Sequence, residues 1–266
     1  MSEAPKTGTP GSIGTPFIEL QSVDSTNNYA RGLIKASRLP ERQGTDLHGL
    51  TLFAHEQVAG KGQRGRVWTA EKDMNITMSV IIDPRPLEPG DQFPLSAAVA
   101  LASRDFFLQY ALDKVSVKWP NDLYWQDRKA GGILIESGIS PDPVVWNWSI
   151  IGIGININQT HFPDYLPNPV SLKQITGSDY KLIPLARELC RCLEKNIVQL
   201  KEQGPETILS AYNEALYKRG QTVRFKKENR SFEALVKGVD KHGKLVLEHA
   251  IEESFSFGEL EWITTG

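Results

Sequence analysis

Three short stretches hold most of the residues in this chain that could do chemistry. Residues 60–68, GKGQRGRVW, place three glycines and the cations Lys61, Arg64 and Arg66 within nine positions and close on Trp68. Such a backbone can turn several N–H groups inward, and with the cations it suits an anion that must be surrounded, such as a carboxylate beside a phosphate. A solvated surface loop shares that composition, but a large aromatic ending a polar loop calls for something flat to pack on. The loop lacks the terminal Lys-Ser/Thr and the following helix of a P-loop. In VKWPNDLYWQDRKAGGILIES (117–137), Lys118 and Lys129 bracket a turn in which Pro120 fixes the backbone and presents Asn121 and Asp122. Asn and Asp after Pro are ordinary turn formers. Lys129, however, stands just before a Gly-opened buried strand, where a cation loses water unless an anion joins it. In DSTNN (24–28), a Ser/Thr/Asn run caps a helix, and the hydroxyls and amides left over could bond a small polar ligand. GIGIN (152–156) is only a fragment of the dinucleotide fingerprint and continues as a strand, so it is set aside.

The elements around these stretches follow from periodicity and punctuation. The Gly/Pro-rich residues 1–16 read as a disordered tail. FIELQSV (17–23) is extended and leads into a helix whose apolar face would be Tyr29, Ala30, Leu33 and Ile34. LTLFAHE (50–56) reads as a buried strand entering the Gly-rich loop, and Ile76, Met78, Val80 and Ile82 alternate with Thr77 and Ser79 as in a strand. Residues 93–112 are apolar and Ala-rich enough for a buried helix. The strand candidates VSVKW, GGILIES and VVWNWSIIGIGININ are separated by short turns rather than helices, which favours antiparallel or mixed pairing and an α+β fold. An amphipathic helix carries Ala186, Leu189, Leu193, Ile197 and Leu200 on one face, with Cys190 beside it as a small core residue. Gly204 ends it and Pro205 opens the next helix. From about Gly220, QTVRFKK, FEALVKGVD, KLVLEH and SFSF, with a DKHG turn at 240–243, read as a small β-barrel. The expected organisation is therefore a tail (1–16), a main domain (17–218) and a barrel (219–266).

Composition narrows the function. At 266 residues, 40% hydrophobic and 23% charged, with a formal net charge of -2, the chain has the balance of an ordinary globular protein and no bulk attraction for nucleic acid or membrane. Two cysteines and five scattered histidines offer neither a disulfide framework nor a metal motif. No apolar run reaches the roughly 18 residues of a membrane span. A cytoplasmic protein is expected.

Taken together, DSTN, EQVAGKGQRGRVW, KWPNDLY…RKAGGILIE, GIGININ and GVDKHGKLVLE, in that order, resemble the biotin protein ligases from about Phe17 to Trp262. The resemblance implies a mixed sheet with helices, similar to class II aminoacyl-tRNA synthetases, and a C-terminal SH3-like barrel. It implies that biotin and ATP, with Mg²⁺, give biotinyl-5′-AMP, and that the biotinyl group passes to a lysine of a biotin carboxyl carrier protein. The family's biotin contacts fall on Ser25, Thr26 and Asn27, then on Gln57, and its loop contacts on Lys61, Gly62, Gln63 and Arg64, with Trp68, Asn121 and Gly132 completing the binding set. Lys129 would hold the biotin carboxylate and the α-phosphate, Lys61 would assist, and Asp122 would orient Mg²⁺ or the acceptor amine. The family writes its loop GRGRRGR, whereas Lys61 and Gln63 stand here at two arginine positions. Lysine keeps the charge without the bidentate fork, and Gln63 has no charge. A lipoate or octanoate ligase, and a non-catalytic module built on the barrel, are the rival readings. With DSTN beginning at Asp24 after a short Gly/Pro-rich segment, neither a winged helix before it nor operator binding is expected. A homodimer is compatible with these features.

Overall fold

The computed structural model describes residues 11–37, 47–111 and 113–263. Strands β1 (Phe17–Leu20), β2 (Thr51–Ala54), β3 (Asn75–Ile82), β4 (Val115–Lys118), β5 (Asp122–Trp125), β6 (Arg128–Pro141) and β7 (Val144–Asn156) form a seven-stranded sheet in the order β1-β2-β3-β7-β6-β5-β4. The β1–β2 pair is parallel and the other pairs are antiparallel, so the sheet is mixed, as expected for an α+β fold.

The two faces of this sheet have different fates. On one, Ile76, Met78, Val80 and Ile82 of β3 lie opposite Ile155, Ile153, Ile151 and Ser149 of β7. This apolar face packs in one core with the helices α2 (Gln92–Ala111) and α4 (Leu182–Gln203). Helix α2 buries residues around most of its circumference, which is why its sequence carries no polar stripe. In α4, Ala186, Leu189, Leu193, Ile197 and Leu200 are buried, as the spacing predicts, and Cys190 is buried beside them. Burial pushes the Cys190 thiol up to about 11, which fits an inert core residue. On the opposite face, helix α1 (Thr26–Ser37) seals a smaller core through Ala30 and Ile34 against Leu52, Ile81 and Ile150. Next to it the same face carries Thr77 and Ser79 of β3 beside Gly154 and Gly152 of β7.

Beyond a short helix α3 (Leu172–Thr176) and α5 (Pro205–Glu214), a second sheet is built from β8 (Thr222–Lys227), β9 (Arg230–Val239), β10 (Leu245–Glu248), β11 (Glu252–Phe255) and β12 (Glu261–Ile263). It is five-stranded, antiparallel and ordered β11-β10-β9-β8-β12, a small barrel-like unit.

Several expectations need correcting. Residues 11–16 do not form part of a loose tail. Ile13 is buried, its N–H donates to Glu194 Oε2 at 2.6 Å, and Gly14 N–H donates to the Gly49 carbonyl at 2.9 Å; residues 1–10 lie outside the described residues. Tyr29 is 40% exposed rather than on the buried face of α1, because the buried stripe runs through Thr26, Asn27, Ala30 and Ile34. Strands β5 and β12 were not foreseen, being only four and three residues long.

Candidate active site

A row of directly paired residues crosses the main sheet from Asp122 (β5) to Gly132 (β6), Gly154 (β7) and Thr77 (β3). The adjacent row holds Leu134, Gly152 and Ser79. Directly opposed residues in antiparallel strands share a face, so these rows give that face a floor of glycines and small hydroxyls. The glycines are vacant for a reason. A Cβ on Gly152 would come within 2.4 Å of Asn27 Oδ1, and one on Gly154 within 2.3 Å of the Trp68 indole. One on Gly132 would lie 3.3 Å from Asp122 Oδ1 and 3.5 Å from Lys129 Nζ. The GIGIN stretch thus serves as the floor on which Asn27 and Trp68 rest.

At one end of the cleft stands the DSTN cluster, with Ser25, Thr26 and Asn27 each at most 3% exposed. Thr26 is the first residue of α1 and its hydroxyl is not a cap. The Gln57 side-chain Oε1 accepts from both Thr26 N–H (2.7 Å) and Thr26 Oγ1 (3.0 Å), so a side chain from the segment that follows β2 satisfies the helix terminus. Ser79 Oγ lies 2.7 Å from Thr26 Oγ1 and 2.6 Å from Asn27 Oδ1. A hydroxyl has one proton, so it cannot serve both acceptors fully. Asn27 is oriented by its Nδ2, which donates to Glu136 Oε2 at 2.9 Å, and Glu136 in turn pairs with Arg31. Asp24 is held below the usual carboxylate range, first by the Asn28 amide and then by the Ser25 N–H.

At the other end, Lys129 Nζ and Asp122 Oδ1 form an ion pair at 2.7 Å, across a bulge between Leu123 and Tyr124. The Asn121 side chain does not face the cleft as expected; its amide donates to the Ile133 carbonyl, pinning the WPND turn to β6. Lys118 is a participant that the sequence reading left unassigned. It is the last residue of β4, its ammonium lies 3.2 Å from Tyr124 Oη, and it sits over the rings of Tyr124, Tyr217 and Trp262 at 4.7, 5.6 and 5.5 Å. Burial in this aromatic box pulls its pKa down to about 8, with Lys129 adding to the fall and Asp122 opposing it. A lysine one residue before Trp-Pro, at the end of an alternating Val-Ser-Val strand, was the available signal.

The loop over the cleft is a closed hairpin. Gly62 N–H donates to the Arg66 carbonyl (2.7 Å), Arg66 N–H to Gln63 (3.1 Å) and Trp68 N–H to Gly60 (3.0 Å). Lys61 Nζ donates to Asn28 Oδ1 at 2.5 Å, which brings it beside the DSTN cluster. Gln63 Oε1 and Trp68 Nε1 are buried and have no hydrogen-bond partner among the described residues. Arg64 departs from expectation: its guanidinium donates to the Phe257 carbonyl at 2.9 Å and leans on the barrel rather than into the cleft. No group of three metal-ligating side chains occurs among the described residues.

What such a cleft can hold is a small polar molecule with a carboxylate, side by side with a second anion to which it is joined; that is the task of a ligase. Residues 20–156 match the biotin/lipoate A/B protein ligase family and residues 219–263 the biotin protein ligase C-terminal domain. The chain belongs to this family of protein ligases. It is 33% identical over 241 residues to the bifunctional ligase/repressor BirA of Bacillus spizizenii, covering 89% of this chain and 70% of that protein. It is 28% identical over 241 residues to the biotin–[acetyl-CoA-carboxylase] ligase of Mycobacterium tuberculosis, covering 88% and 85%. The biotin protein ligase of Aquifex aeolicus, solved with biotin and ATP, superposes with a TM-score of 0.76 at 22% identity over 94% of this chain and 99% of that one, a likeness of fold.

Proposed function

We propose that this protein is a biotin–[biotin carboxyl carrier protein] ligase, which joins biotin to AMP from ATP and then transfers the biotinyl group to a carrier lysine. The observation that carries this reading is the shared sheet face, with an acceptor-rich polar cluster at one end and a cation–carboxylate pair at the other. A ureido ring offers two N–H donors and one carbonyl. Thr26, Asn27 and Ser79 present hydroxyls and an amide oxygen with one proton too few among them, a deficit the ring's donors would fill. The dithiolane of lipoate and the plain chain of octanoate have no polar group for these atoms, and burying them unpaired costs about 1–3 kcal/mol each. Relatives named as ligases, together with the cleft itself, leave a non-catalytic module without support.

In the first step a biotin carboxylate oxygen attacks the α-phosphorus and pyrophosphate departs. Two anions must approach, and Lys129, released from Asp122, would bridge them while Lys61 and the loop amides surround the forming mixed anhydride. Asp122 holds Lys129 in position beforehand. Asp122 would supply one carboxylate to Mg²⁺ that would arrive on the nucleotide, since Mg²⁺ keeps waters and uses one or two carboxylates with substrate phosphates. When bound it would relieve negative charge on the departing pyrophosphate. In the second step the neutral carrier amine attacks the acyl carbon and AMP leaves. Trp68, laid on Gly154, and the hairpin over it would keep water from the anhydride. Pyrophosphate exchange with biotin, lipoate and octanoate in turn tests the assignment. Exchange with biotin alone is expected, and exchange with lipoate or octanoate but not biotin would overturn it.

A further inference from the structure

Arg64 and Gly65 are consecutive left-handed residues, φ +53° and +75°, and their conformation throws the Arg64 side chain outward from the hairpin. It lands on the turn between β11 and β12. Its Nη2 donates to the Phe257 carbonyl at 2.9 Å and its guanidinium carbon sits 4.9 Å from the centroid of the Phe257 ring. Gly258 is part of the seat: it has φ +87°, and a Cβ there would come within 1.6 Å of Arg64 Nη1. The same ring meets Trp119 edge-on at 5.9 Å, and Trp119 Nε1 donates to the Gly243 carbonyl of the barrel at 2.9 Å. One aromatic side chain therefore touches both the cationic hairpin and the tryptophan that leads the WPND turn. These contacts join the two walls of the cleft through a third part of the molecule.

We infer that Phe257 is a positioning residue: acting through Arg64, it fixes the hairpin 60–68 over the cleft and so sets how long the activated acid is retained. The consequence for the activated acid rests on the ligase reading; the latch itself does not. Lys61 on Asn28 and Trp68 on Gly154 tether the hairpin near its two ends. Arg64 stands at the tip, where the loop has the most freedom to swing.

Limited trypsin digestion of the full chain without ligands reads the latch directly, since Lys61, Arg64 and Arg66 are cleavage sites. Phe257→Ala should speed nicking in the hairpin by about two- to thirtyfold, as expected from losing one cation–π contact, and Phe257→Tyr should restore the wild-type rate. Gly258→Ala, which displaces the guanidinium and leaves the ring in place, should act like Phe257→Ala and guards against misfolding of the latter. In an Arg64→Gln background, cleavage at Lys61 and Arg66 should be raised already, and adding Phe257→Ala should change nothing. Unchanged nicking in both Phe257→Ala and Gly258→Ala, or additive effects in the double variant, would overturn the latch. With biotin and Mg·ATP, Phe257→Ala should shorten the lifetime of bound adenylate without a matching loss of its synthesis. If the wild type makes no adenylate at all, the ligase reading fails while the digestion result stands.

Discussion

Lys129 and Asp122 illustrate how little space separates holding a cation from using it. The pair is partly exposed, 27% and 24% at the side chains, so it adds little stability by itself. Its value lies in where it leaves the ammonium. Lys129→Ala should therefore nearly abolish biotin-dependent pyrophosphate exchange while the melting temperature stays within a few degrees; wild-type exchange in that variant would place the reaction elsewhere. Thr26 behaves differently from a cap. Thr26→Ala would remove one bond to Gln57 and one from Ser79, and losing the single bond its hydroxyl would make to biotin, at about 0.5–1.5 kcal/mol, should lower biotin affinity roughly two- to thirteenfold, measured by calorimetry. A fall in melting temperature with unchanged affinity would make the hydroxyl purely structural. Lys118 adds a pH dependence. Its folded pKa of about 8 lies below its ordinary 10.5, so the unfolded chain holds the proton through that window and the folded one does not. Stability contributed by this group must rise with pH from about 8 to 10.5, by on the order of 2–3 kcal/mol. Lys118→Met should lose that rise in denaturant titrations at pH 7.5 and 10, and an identical pH slope in both proteins would refute it.

At the level of elements, period-2 alternation in residues 76–82 and the 3–4 spacing in 186–200 were enough to read β3 and α4, because each turns one continuous apolar face to the main core. The alternation in β3 says less than it seemed to: Thr77 and Ser79 are buried too, under α1 and the hairpin rather than in water. The chemistry-bearing stretches were legible as stretches, but the direction of each side chain was not. Asn121 is tied to the long strand β6 and Arg64 to a turn of the barrel, partners that lie 12 and 193 residues off in sequence. The glycines of GIGIN were unreadable as a floor, since their reason lies in Asn27 and Trp68, more than 80 positions earlier. This has a test. Gly154→Ala puts a methyl 2.3 Å from the indole, so Trp68 must lift off β7. The hairpin should then be nicked faster by trypsin, and exchange should fall while the fold survives. Ordering the wild-type loop fully still costs backbone entropy, about 1–2 kcal/mol per residue. Biotin with Mg·ATP should slow the nick that yields fragments of about 60 and 200 residues, and lipoate with Mg·ATP should not. Equal rates with and without biotin and Mg·ATP would make the hairpin a bystander.

Over the whole molecule, α5 is the strut between the cleft and the barrel, and adjacent residues face each. The fully buried Tyr212 donates its hydroxyl to the Pro120 carbonyl at 3.0 Å, bracing the WPND turn from beneath. Asn213 caps the end of β9 with two bonds, Nδ2 to the Val239 carbonyl at 3.0 Å and Oδ1 from Val239 N–H at 2.6 Å. Gly238 leaves room for that amide, since a Cβ there would meet Asn213 Oδ1 at 2.8 Å. In the sequence Asn213 is one polar residue in a helix, and nothing local marks it as the joint. Asn213→Ala would leave two main-chain groups of a buried residue without partners, each costing about 1–3 kcal/mol. At roughly 2–4 °C per kcal/mol for a chain of this size, the melting temperature should drop by about 4–24 °C. Asn213→Asp, which can still accept from Val239 N–H but not donate, should fall between. Tyr212→Phe separates the two roles: the barrel stays seated, the melting temperature falls by only a few degrees, and exchange drops because the turn carrying Asp122 loses its brace. Should Asn213→Ala melt within about 1 °C of wild type, the barrel is not held at this joint, and other contacts, such as Trp262 against Tyr217 and Lys118, hold it instead.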